Sequence, residues 1–144
     1  METKDMNTEK KISQILEDFF EKENMVFYRR DVDENITTFI LPYEITKQNI
    51  NFDIRLDSFA DKRLCRMCFD RELNAEHDYS GELLDMNSDL STGKISVEKN
   101  SNKVTYTVYF EVKDEQSVKA EYRKGLDLCL LVLARLFSSD IIKK

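Results

Sequence analysis

The sequence predicts an α+β domain: an antiparallel sheet with helices mainly on one face, in the order α-β-β-β-β-α-β-β-α. Three observations carry this. The stretch from Ser117 to Phe137 is apolar with helical spacing, and ten of the twelve residues from Leu126 to Phe137 are apolar. Two segments, Ile50 to Leu56 and Val104 to Val112, alternate strictly between apolar and polar residues, as half-buried strands do. Finally, no turn between adjacent strand-like runs is long enough for a parallel crossover, so strands joined by hairpins are antiparallel.

The first predicted helix begins at an Asn7 or Thr8 cap, with Glu9 where a negative charge suits the helix dipole. Ile12, Ile15, Leu16, Phe19 and Phe20 make its apolar face, and it should end near Asn24. Met1 to Met6 reads as a disordered tail, leaving residues 7–144 as one domain. Strand-like runs follow. Val26 to Arg30 is short, Asp31 to Asn35 is a turn, and Ile36 to Leu41 is rich in β-branched residues and should stop at Pro42. Thr46 to Asn49 turns the chain into the strand that opens at Ile50. Leu64 to Asp70 is a fourth strand, with Cys65, Met67 and Phe69 on one face. Tyr79, Leu83, Met86 and Leu90 have helical spacing, which places a second helix over about Tyr79 to Leu90. Lys94 to Glu98 is a strand, Lys99 to Asn102 a hairpin turn, and Val104 to Val112 the last strand.

Asp114 or Ser117 then caps the final helix. At 100° per residue, Val118, Tyr122, Gly125, Leu126, Cys129, Val132, Leu133 and Leu136 share one face, the stripe expected against the sheet. Gly125 is unfavourable there by about 1 kcal/mol against Ala, which a close approach of backbone to sheet would justify. Leu128 and Leu131 fall off the stripe, so either the first helix covers them or they form a dimer patch. The run is too short for a membrane span, which needs about 20 apolar residues, and it contains Asp127 and Arg135.

Composition narrows the function classes. With 28 acidic and 22 basic residues the net charge is −6, and no cluster of Lys and Arg offers an electrostatic footprint for nucleic acid. Three cysteines are an odd number for a disulfide scaffold and fit a reducing cytoplasm, and Met1 to Lys11 has no apolar signal region. Only three glycines leave no room for a glycine-rich phosphate loop.

The candidate chemistry is thin. Cys65 and Cys68 have CxxC spacing, but a redox pair wants a helix start and a zinc site wants more ligands. On a strand, residues three apart point to opposite faces, so two small buried residues are expected. His77, the single histidine, lies between Glu76 and Asp78 and reads as a solvated loop residue. Asp31, Asp33, Glu34 and Asn35 lack the glycine and late Glu of a calcium loop and read as a hairpin turn. No catalytic, metal or cofactor residue is therefore assigned. Tyr109, on the face of its strand opposite Tyr106 and Phe110, is either an ordinary surface aromatic or part of a face open to a partner.

The segment from Glu82 to Phe137 reads ELLDMNSDL, then GKISVE, then KVTYTVYFEV, then the Ser117 helix. This succession, and the order of elements from Lys11 onward, resembles the YbjN family, which is similar in fold to type III secretion chaperones. Thr92 stands where that family has a proline before the glycine. The resemblance implies a small, non-enzymatic bacterial protein, dimeric, that binds another protein or assists its folding or secretion. From these observations we expect a cytoplasmic interaction module acting as a homodimer, with Leu128, Leu131, Tyr109, Leu83 and Met86 as surface candidates. The alternatives are a small enzyme using His77 or Cys65, or a CxxC metal or redox protein.

Overall fold

The structure, a computed structural model, describes residues 10–74, 79–98 and 100–143. The expected tail and His77 lie outside the described residues. Three helices, α1 (Ile12–Lys22), α2 (Ser80–Asp89) and α3 (Val118–Ser138), accompany six strands. These are β1 (Tyr28–Asp31), β2 (Ile36–Ile45), β3 (Ile50–Phe59), β4 (Leu64–Glu72), β5 (Lys94–Glu98) and β6 (Lys103–Glu111). The strands form one open antiparallel sheet in the order β1-β2-β3-β4-β6-β5. The α+β class, the antiparallel sheet and the element order match the sequence expectation.

One face of the sheet carries the core. Phe39 and Leu41, Phe52, Ile54 and Leu56, Cys65, Met67 and Phe69, and Val104, Tyr106 and Val108 are all buried there, meeting Ile12, Leu16 and Phe20 of α1 and Val132, Leu133 and Leu136 of α3. Gly125 is where α3 comes closest to the sheet. A Cβ at this position would meet Met67 Sδ at 3.1 Å and Phe110 Cδ1 at 3.7 Å, so the missing side chain lets the helix backbone rest on β4 and β6.

Among the boundaries that differ from the sequence expectation, three have a tertiary reason. Helix α1 begins at Ile12, behind an extended Lys11, and Ile12 is the first of the described residues to enter the core; the expected Asn7 or Thr8 cap lies outside the described residues. Lys10 is held outside the helix by Glu115 and Asp18, at 2.5 and 3.3 Å. Strand β2 runs through Pro42 to Ile45 instead of stopping. The Ile36 carbonyl faces β1, accepting the Val32 N–H at 2.9 Å, so by alternation the nitrogen of Pro42 points to the same side. Paired residues of β2 against β1 end at Ile40, so Pro42 falls on a free edge where no donor is needed. Strand β1 itself is shifted to Tyr28–Asp31 because its register follows β2.

The opposite edge is closed by a side chain. Asn87 of α2 donates to the Ile95 carbonyl at 2.8 Å and accepts the Ile95 N–H at 2.7 Å. Its carboxamide thus pairs with β5 as a neighbouring strand would, which protects an exposed edge.

The face of the sheet away from the helices is sealed by long polar side chains. Asp57 is only 4% exposed there, because two N–H groups of Arg66 donate to its Oδ2 at 3.0 and 2.8 Å and Thr38 donates to Oδ1 at 2.7 Å. The Arg66 guanidinium also lies 5.3 Å over the Phe59 ring.

Gly93 enters β5 with φ +81°, and the Tyr106 hydroxyl, which donates to the Thr92 carbonyl at 3.1 Å, occupies the place of a Cβ. Gly81 in α2 has open space around it. Gly93→Ala should therefore cost about 2–4 kcal/mol through backbone strain and overlap. Gly81→Ala should stabilise by about 0.5–1 kcal/mol through helix propensity. Urea unfolding of the two variants checks the opposite signs.

Candidate functional site along the C-terminal helix

Helix α3 is long enough to touch every other part of the helical layer, and it is not fully covered. Its N-terminal half is packed by α1: the Tyr122 ring stands 5.5 Å from both Phe19 and Phe20. Tyr122 shares a 2.5 Å hydrogen bond with the Tyr43 hydroxyl of β2, and Lys119 reaches Glu23 of α1 at 3.5 Å. On one flank of the C-terminal half, α2 is tied on by Arg135 to Asp89 at 3.3 Å and by the Tyr79 hydroxyl donating to the Asp140 carbonyl at 2.9 Å. The other flank is bare.

There, between α3 and the end of the β2–β3 hairpin, lies an apolar groove of about 270 Å³ lined by Ile45, Ile50, Leu130, Ala134 and Phe137. Each wall follows from local sequence. A 3₁₀ turn over Thr46–Gln48, closed by Asn49 in the left-handed region (φ 53°), makes Ile45 and Ile50 opposite partners at the hairpin end. On α3, Leu130, Ala134 and Phe137 follow the three- and four-residue spacing that makes one helical ridge. One side of the Phe137 ring is fixed by Arg71, whose guanidinium lies 5.3 Å from the ring centre. Arg71 in turn donates to the carbonyls of Asn51 and Lys143 at 2.8 and 3.1 Å.

The five surface candidates divide. Leu131 is 66% exposed, so α1 does not cover it. Leu128 is half-buried against the core. Tyr109 is 54% exposed on the sealed side of the sheet, across from Arg66. Leu83 and Met86 correct the expectation: both are buried in the core, because α2 turns that side onto the sheet beside β5. Leu84, next in sequence, is the exposed leucine of α2. The groove residues Ile45, Ile50, Leu130 and Phe137 were not singled out by sequence. The only signal was that the Leu126 to Phe137 run is too apolar for one buried stripe.

The cysteines are disposed as strand geometry requires. Cys65 lies on the helix side and Cys68, by alternation, on the other, and all three thiols are free and buried. Burial pushes the Cys65 thiol far above its ordinary range, Cys68 up to about 11 and Cys129 up to about 12. A buried, protonated thiol is a poor nucleophile at neutral pH. Among the described residues no group of three or more His, Cys, Asp or Glu is arranged to hold a metal ion. In the acidic turn, Asp33 accepts the N–H groups of Asn35 and Ile36, each at 2.8 Å, and Asp31 accepts from Arg29 and Thr37. These bonds define a hairpin turn. No helix of the described residues is long and apolar enough to cross a membrane.

No family model matches the chain, and no curated protein matches it.

The thiol geometry makes a direct prediction. With Ellman's reagent at pH 8, the native protein should react slowly at all three cysteines, then release three equivalents of thiolate in denaturant. Rapid reaction of one native thiol would reveal an activated cysteine.

Proposed function

We propose that this chain is a non-enzymatic protein-interaction module, chaperone-like or regulatory, that holds an apolar segment of a partner protein. The observation that carries this reading is the groove between α3 and the β2–β3 hairpin. Small-molecule sites combine an apolar lining with a few converging polar groups. Here Gln48 and Ser138 are the only polar contributors to the lining among the described residues. That suits two or three apolar side chains of an extended or helical segment, the manner in which helices and strands are gripped by apolar grooves.

Binding by strand addition at a sheet edge is less favoured. One edge strand, β1, is only four residues long, with Pro42 leaving no donor on β2 beyond it, and Asn87 occupies the β5 edge at Ile95. The net charge of −6 adds a screened preference for partners with basic flanks. An enzyme built on Cys65 is disfavoured by the burial of that thiol. This reading agrees with the resemblance to the YbjN family and its secretion-chaperone-like fold, from which a homodimeric, cytoplasmic protein follows as part of the proposal.

The test places a photo-crosslinking amino acid at Gln48, on the groove rim, or at Lys94, on the distant β5 edge, in the native host. Gln48 should trap a defined partner that Lys94 does not, and Ile45→Glu should reduce trapping at least tenfold. Equal trapping from both positions, or trapping unaffected by Ile45→Glu, would sink the groove as the binding site.

A further inference from the structure

The outward side of α3 carries a second feature, adjoining the groove. Leu131 is 66% exposed in the middle of this side, and Asp127 and Arg135 stand four residues before and after it. At 100° per residue the two charges lie about 40° to either side of Leu131, and about 6 Å along the helix in opposite directions. Asp127 has no ion-pair partner among the described residues. Among the described residues Arg135 reaches only Asp89, in an exposed pair, a kind of contact that contributes little and is easily exchanged.

We propose that this seam is an isologous dimer interface, in which α3 packs antiparallel against α3 of a second copy with Leu131 at the two-fold axis. The inference rests on the reading of the chain as a homodimeric interaction module, and it names the surface and register. In an antiparallel pair centred on residue 131, position 127 of one helix comes level with 135 of the other, 128 with 134, and 124 with 138. Asp127 then meets Arg135 twice by symmetry. Leu128 meets the small side chain of Ala134, which lets the helices approach, and Lys124 meets the hydroxyl of Ser138. At none of these level positions do like charges meet. A parallel pair would set Asp127 against Asp127 and Arg135 against Arg135. The seam also carries two cations, Lys124 and Arg135, against one acid, Asp127, so it departs from the acidic character of the chain as a whole. Leu84 on α2, which is 67% exposed, adds apolar area on a helix tied to α3 through Asp89 and Arg135. A single helix face is smaller than the roughly 800 Å² per partner of a standard interface, so the dimer should be reversible and concentration-dependent.

The experiment is sedimentation velocity from about 1 to 300 μM, a range that covers weak dimers. It compares wild type, Asp127→Arg, Arg135→Asp, the double exchange Asp127→Arg/Arg135→Asp, and Leu131→Glu, with circular dichroism confirming that each is folded. The substituted side chains are exposed, so folding should be retained. Wild type should dimerise, each single charge reversal should weaken the dimer about tenfold or more, and the double exchange should return it to within about threefold of wild type. Leu131→Glu should be a folded monomer. A wild type that is monomeric throughout overturns the inference together with the dimeric reading. A dimer that all variants leave unchanged, or a double exchange that does not recover, overturns this seam while leaving dimerisation through another surface. The seam shares Ala134 and Ser138 with the groove, but none of the varied residues lines it, so partner trapping at Gln48 reports on the proposed function independently.

Discussion

The contact between the α3 backbone at Gly125 and the Met67 and Phe110 side chains beneath it is the constraint on which the rest of the structure depends. It sets the height of the helix above the sheet. At that height Tyr122 can reach both the Tyr43 hydroxyl of β2 and the Phe19 and Phe20 rings of α1, so one turn of α3 joins sheet, first helix and last helix. A larger residue at position 125 would have to push against Met67, whose thioether is flexible, and Phe110, whose ring is not. The low seating also explains why α3 can bury a full stripe against a one-layer sheet and still have apolar residues left over. Leu130, Leu131 and Phe137 lie on sides that neither the sheet nor its neighbouring helices close.

The rest of the surface is closed in specific ways, and this is what directs attention to α3. The helix-free face of the sheet looks available in outline, but its centre is occupied by Arg66, lying on Phe59 and neutralising a buried Asp57. A buried carboxylate of this kind costs stability unless its partners stay in place, so this network favours a sealed surface. The two sheet edges are blunted by unrelated devices: a four-residue edge strand, β1, beyond which Pro42 leaves no donor on β2, and an asparagine whose carboxamide pairs with β5 at Ile95. What is left open is the helical layer, with a preformed groove on one flank of α3 and a self-complementary seam along its outer side.

Much of the architecture was legible because it is local. The strict alternation of Ile50 to Leu56 and Val104 to Val112 makes one face apolar whatever lies above it, and the 3.6-residue spacing of Val118 to Leu136 does the same for a helix. The opposite facing of Cys65 and Cys68 followed from strand periodicity alone. The candidate site was only half legible. The surplus of apolar residues after Leu126 announced that α3 had more than one apolar side, and Leu131 was correctly placed off the buried stripe. Choosing Leu83 rather than Leu84 as the exposed residue of α2 failed because helical spacing identifies an apolar side without saying what packs on it.

By itself, then, the sequence determined the element order, the antiparallel hairpins, the buried stripe of the last helix and the opposite facing of the CxxC pair. Each is set by the geometry of neighbouring residues along the chain. Tertiary structure alone decided that β6 inserts between β4 and β5, that β2 continues through Pro42 on a free edge, and that Asn87 closes the other edge. It also decided that Ile45 and Ile50, some eighty residues before Leu130 and Phe137, form the opposite wall of one groove. These depend on which distant segments become neighbours, and that is fixed by the packing of the whole core, which no periodicity within a single segment encodes.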